Sequence, residues 1–81
     1  MDKAEIQQTA SILKRVRHDL SEGGGDATLH LHLTELYRVI RRLMDATFAT
    51  QDQGLKMLLA TLEKQAREYK QEIERRLGVR N

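Results

Sequence analysis

The chain has 81 residues with no cysteine, proline or tryptophan, and 32% of it is charged. A chain this short buries only about 60% of its unfolded surface, and without cysteine neither a disulfide nor a thiolate metal site can reinforce it. Lack of proline and high charge favour long helices over a turn-rich β fold, and one Phe with two Tyr is thin for a sandwich or barrel. The expected fold is all-α, a three-helix bundle or helical hairpin with long amphipathic helices and coiled-coil-like packing, in one domain over residues 1–81. Such a small core needs very regular packing or self-association to hold it. The net charge of +2 is near balance, and residues 51–81 carry the excess, seven basic against five acidic, a weak pointer to an anionic partner. No apolar run approaches the roughly 18 residues that span a bilayer, and MDKAEIQQ lacks the apolar core of a secretory signal. No membrane contact and a cytoplasmic location are therefore expected.

The first helix is expected over about residues 3–21. Asp2 with Glu5 makes a capping-box-like start. Ile6, Leu13, Val16 and Leu20, with Thr9 or Ala10 in the gap, keep the three-four spacing of an amphipathic stripe. Gly23-Gly24-Gly25 ends it, because three glycines lose too much backbone entropy in a helix and the first can take the left-handed cap.

Asp26 can cap the second helix, with Thr28 as the competing choice. The stretch TLHLHLTEL, residues 28–36, reads with period two as a strand that puts His30 and His32 on one face. Read with period 3.6 it is the start of a helix. From Leu33 onward, Leu36, Tyr37, Val39, Ile40, Leu43, Met44 and Phe48 keep helical spacing. A strand would need an abrupt change without Gly, Pro or Asn, and a partner strand that no other segment offers. The helix, about residues 27–48, wins. His30 and His32 then lie about 200° apart and cannot share a metal from one face. Leu29 and Leu33 face the core, Leu31 lies off the stripe, and the histidines sit at its boundary or in solvent.

The joint Ala46–Gly54 reads two ways. Thr50 and Gln53 form a T-x-x-Q capping box that starts a new helix. Alternatively, the stripe runs on through Ile40, Met44, Phe48 and Leu55 with one stutter, making a rod of about 75 Å. The break is the preferred expectation. The third helix then covers about residues 51–77, with a seam of Leu55, Leu58, Leu59, Leu62, Ala66, Tyr69, Ile73 and Leu77. Glu63–Arg67 and Glu72–Arg76 stand in the favourable i,i+4 order. Lys70, Arg75 and Arg76 suit the negative pole of the helix dipole. Gly78 stops the helix, and Val79–Asn81 are expected to fray.

Chemistry is sparse. The glycine triplet follows no strand and carries no Lys-Ser/Thr pair, so it is a connector rather than a phosphate loop. Ser11 and His18 lie two turns apart with no loop to build a pocket, so no enzyme is expected. No cofactor and no metal are expected; His18, His30 and His32 would need two helices or two subunits to converge. Arg38, Arg41 and Arg42 share one helix face and form a candidate anion or nucleic-acid face, more so if Lys14, Arg15 and Arg17 converge on it. Glu35 and Asp45 partly neutralise that face. No recognition helix follows a tight turn, and no aromatics interleave for stacking on single strands. Tyr37, Met44, Phe48 and Met57 read as core or subunit-interface residues, and methionines on a helix groove would also suit a peptide partner.

The preferred function is a non-enzymatic helical interaction module, such as an assembly factor, small chaperone or regulatory adaptor, acting as a homo-oligomer or on a helical protein partner. The alternative is a small nucleic-acid-binding regulator. The third helix outruns the first by about two turns, so Leu58, Leu62, Tyr69, Ile73 and Leu77 form the expected protein interface, with Tyr69, Ile73 and Leu77 left uncovered by the chain's own helices.

Overall fold

A computed structural model describes residues 1–78 as three helices, α1 (Lys3–Ser21), α2 (Asp26–Ala49) and α3 (Gln53–Leu77), with no strand among them. The expected fraying of Val79–Asn81 lies outside the described residues.

The helix ends show how local chemistry sets the boundaries. At the start of α1 the Glu5 N–H donates to Asp2 Oδ1 at 2.8 Å, and the Asp2 N–H donates to Glu5 Oε1 at 3.5 Å, a reciprocal capping box. At its end Gly23 takes φ +71. The Gly24 N–H then donates to the Asp19 carbonyl at 2.9 Å and the Gly23 N–H to the Leu20 carbonyl at 3.4 Å, the paired bonds of a Schellman motif.

Two expected caps are corrected. Gly25, not Asp26 or Thr28, is the N-cap of α2, and no side chain caps it; Asp26 sits inside the first turn, where a carboxylate still favours the positive pole. The break before α3 is present, but its capping box is not Thr50 with Gln53. Thr50 ends α2 in extended backbone, and Asp52 caps α3, accepting from the Leu55 N–H at 3.1 Å. The Asp carboxylate adds its charge to a cap that a Thr hydroxyl makes more weakly. Thr50 Oγ1 instead accepts from the Asp52 N–H at 3.2 Å, which tightens the link.

Both turns are short, so each helix reverses on the last. Tyr37 meets Glu74 and Met44 meets Arg67 across the antiparallel α2–α3 pair, the most closely packed pair in the bundle. Glu5 meets Arg42 and Asp19 meets His32 across α1 and α2, so α1 runs parallel to α3. The core is Leu13, Val16 and Leu20 of α1, six aliphatic residues of α2 from Leu29 to Leu43, and Leu59, Leu62, Ala66 and Ile73 of α3. Val16, Leu36, Leu43, Leu59 and Ile73 are wholly enclosed.

The expected overhang of α3 is corrected by the placement of α1. The C-terminal end of α1 lies beside the C-terminal end of α3, since Arg76 Nη1 donates to the Leu20 carbonyl at 2.9 Å. Ile73 is 0% exposed and Leu62 8%, while Tyr69 and Leu77 are half-buried against the core. The last turns of α3 therefore do have an intramolecular cover. Four exposed apolar side chains lie near the α2–α3 turn, where Met44 is 48%, Phe48 94%, Met57 72% and Leu58 45% exposed, and two more, Leu31 at 69% and Tyr37 at 49%, lie on the glycine-turn half of α2.

Candidate functional site

Three polar ties hold the end of the bundle near the glycine turn. His32, one helical turn past Leu29, is 5% exposed, which corrects its expected place at the boundary or in solvent. Its Nε2 lies 2.6 Å from Asp19 Oδ2 on α1, and its Nδ1 lies 3.4 Å from Glu35 Oε1. His30 is exposed as expected. Among the described residues no group of three or more His, Cys, Asp or Glu is placed to hold a metal ion.

The second tie joins α2 to α3. Glu74 is 4% exposed. Its Oε2 accepts from the Tyr37 hydroxyl at 2.9 Å, and its Oε1 lies 3.4 Å from Lys70 Nζ, an ion pair without hydrogen-bond geometry. The Lys70 ammonium also stands over the Tyr37 ring, 5.5 Å from its centroid, within cation–π range. The Glu74 hydrogen bond raises the Tyr37 pKa above its usual value, and desolvation and the Glu74 charge add to it.

The third tie is Glu72 with Arg75 and Arg76. Hydrogen bonds from Arg75 and then Arg76 lower the Glu72 pKa from 4.5 to about 2, and the same carboxylate raises that of Arg75. Glu72 holds Arg76 at 2.7 Å while Arg76 reaches the Leu20 carbonyl of α1. A cation thus meets a helix C-terminus, the favourable pole for it. All these groups have structural partners, and none forms a nucleophile–base pair with a cavity beside it.

The opposite end carries the open surface. Met44, Thr47 and Phe48 of α2 and Lys56 and Glu63 of α3 line a groove of about 450 Å³, with no residue of α1 in its walls. Arg67 borders it, donating to Glu63 Oε2 at 2.9 Å and to Met44 Sδ at 3.2 Å. A groove with a nearly bare Phe, a half-bare Met and charges of both signs can seat an apolar side chain or a helix.

The expected interface residues are dispersed. Leu62 and Ile73 belong to the chain's own core. Leu62 and Tyr69 face α1, lining a cleft of about 200 Å³ with Ala10, Leu13, Lys14, Arg17 and Gln65. Leu58 is half exposed, and Leu77 packs at the core's edge. Tyr37, Met44, Phe48 and Met57 are exposed rather than internal. Arg38, Arg41 and Arg42 do share one exposed face of α2, with Asp45 beside them. Lys14 and Arg17 line the cleft against α3 instead, so these two do not join the Arg38 face. Arg42 lies 3.6 Å from Glu5, and no carboxylate among the described residues pairs with Arg38 or Arg41.

Sequence reasoning reaches neither the groove nor the His32–Asp19 contact. Asp19 and His32 do stand on either side of the glycine turn, four residues before Gly23 and seven after Gly25, and an acid and a histidine flanking a turn are the one signal for a cross-hairpin pair. Phe48 carries no such signal, because its helical spacing is the same for a core residue as for a surface one. Family models, curated proteins and solved structures were compared with the chain, and none matches it.

Proposed function

We propose that this chain is a non-enzymatic helical protein–protein interaction module, cytoplasmic in setting, that works as an assembly factor or adaptor through the Met44–Phe48 groove. The observation that carries this reading is Phe48, 94% exposed on a groove that it shares with Met44. An isolated exposed Leu or Phe is ordinary, but these two together border one hollow, and apolar anchors of this kind dominate interface energetics. The buried polar side chains His32 and Glu74 each join one helix to another.

Site-specific photocrosslinking in expressing cells tests this reading. A photoreactive residue at position 48 is expected to give covalent protein adducts, whereas one at Gln7, exposed on α1, gives few. Equal yields at the two positions, or none, overturn it.

A second reading, a small nucleic-acid-binding regulator, is supported by Arg38 and Arg41, which are exposed and have no carboxylate partner among the described residues. It expects duplex or single-stranded nucleic acid to bind with an affinity that falls steeply as salt rises, and to be lost in an Arg38→Ala, Arg41→Ala, Arg42→Ala variant. Binding that is absent at low salt, or unchanged by the triple substitution, removes it.

A further inference from the structure

We propose that the occupant of the Met44–Phe48 groove is a second copy of this chain, docked antiparallel about a two-fold axis that passes beside Ala60; this rests on the interaction reading above. The argument is charge self-complementarity. Lys56 and Glu63 border the groove, carry opposite signs and lie seven residues apart on one stripe of α3, about two turns or 10 Å. In a two-fold contact, residue i meets residue j while j meets i. An antiparallel copy therefore sets Lys56 against Glu63 of the second chain at one end and repeats the pair at the other.

Both groups have capacity for this contact. Lys56 has no carboxylate within ion-pair distance among the described residues, and Glu63 engages Arg67 through Oε2 alone, leaving Oε1 for a second cation. The midpoint of the pair falls between Leu59, which is enclosed, and Ala60, which is exposed. A side chain as small as that of Ala60 lets two helices approach to the 8–10 Å separation of packed pairs. Phe48 and Met44 then flank the crossing on each side, and each copy covers the other's Phe48. A net charge of +2 per chain leaves little repulsion between copies.

The test is sedimentation of the purified full chain from micromolar to hundreds of micromolar, with circular dichroism to verify folding. Wild type is expected to dimerise. Lys56→Glu and Glu63→Lys, which each place like charges in contact, should weaken the dimer by about ten-fold or more, as should Phe48→Glu. An equimolar mixture of Lys56→Glu and Glu63→Lys should dimerise again, because the opposed pairs are complementary between the two chains. The double variant K56E/E63K should likewise recover, having the wild-type composition with the pair reversed. It also decides the matter if a single variant fails to fold. A dimer indifferent to these changes, or a folded double variant that stays monomeric, overturns the proposal. So does a wild type that is monomeric at hundreds of micromolar. In that last case, adducts from position 48 to a different protein leave the interaction reading standing without the second copy.

Discussion

At the glycine-turn end, α1 and α3 finish side by side and polar side chains join all three helices. Asp19 reaches His32, Tyr37 reaches Glu74, and Arg76 crosses to the Leu20 carbonyl. Toward the α2–α3 turn the link is made by the backbone and the local bonds of Thr50 and Asp52, the contacts between helices are the exposed Glu5–Arg42 and Arg67–Met44 pairs, and Phe48 and Met57 stand in water. The contrast separates two uses of side chains. Polar groups that are buried must be paired, so the glycine-turn end holds one specified arrangement. Apolar groups left in water, such as Phe48 and Met57 at the other end, carry no such constraint.

Substitutions at the two ends break or sharpen this contrast. The largest effect is expected from Ile73→Asp, which puts a charge into the enclosed part of the core and should destabilise the fold by about 4 kcal/mol or more. Urea denaturation reads it; a loss under about 1 kcal/mol would show that the end of α3 is not covered by its own chain. His32→Ala removes a buried ring and leaves Asp19 without its partner, for an expected loss of about 2–3 kcal/mol. His30→Ala, on the exposed side of the same turn, should stay within about 0.5 kcal/mol. Equal effects for the two histidines would dissolve the distinction drawn between them.

Tyr37→Phe takes the hydroxyl from the buried Glu74 carboxylate, and a loss smaller than that of His32→Ala is expected, because Lys70 still faces Glu74. The raised Tyr37 pKa also sets a sign. Its contribution to stability is complete below the usual value of 10.0 and is lost as pH rises through the raised one. A melting temperature that falls equally in wild type and Tyr37→Phe above that pH would assign the alkaline loss to other groups.

Glu72 gives the acid counterpart. Its pKa is lowered from 4.5 to about 2, so its contribution is present above 4.5 and disappears as pH falls through about 2. Glu72→Gln should flatten the acid dependence of the melting temperature in that window. An unchanged slope would remove Glu72 from the glycine-turn ties. The smallest effect on stability is expected from Phe48→Glu, within about 0.5 kcal/mol, although it should weaken association. A large loss of stability would mean that Phe48 supports the fold itself.

Much of the fold is legible locally. The three-four spacing in Leu13-Val16-Leu20 and in Leu36-Val39-Ile40-Leu43 places those residues in the core by helical geometry alone, and Asp2 with Glu5 announces a helix start through bonds made within four residues. The cap of α3 is less legible because Thr50 and Asp52 both suit the role, and only the course of the link decides between them. The groove is not legible at all. Its members depend on where α1 lies, and the helical period of Met44 and Phe48 is shared by residues that end up enclosed.

From the sequence alone follow the helical class, the breaks at Gly23–Gly25 and near Thr50, and most of the core, because each depends on propensity, capping and periodicity within a few turns. Tertiary structure decided the rest: that α1 covers the C-terminal turns of α3, that Ile73 and Leu62 are internal, and that Phe48 is bare. The physical reason is that a helix stripe about 100° wide offers several neighbouring lines of contact. The line used is set by the axial alignment of all three helices, which long-range ties such as Arg76 to Leu20 hold in place.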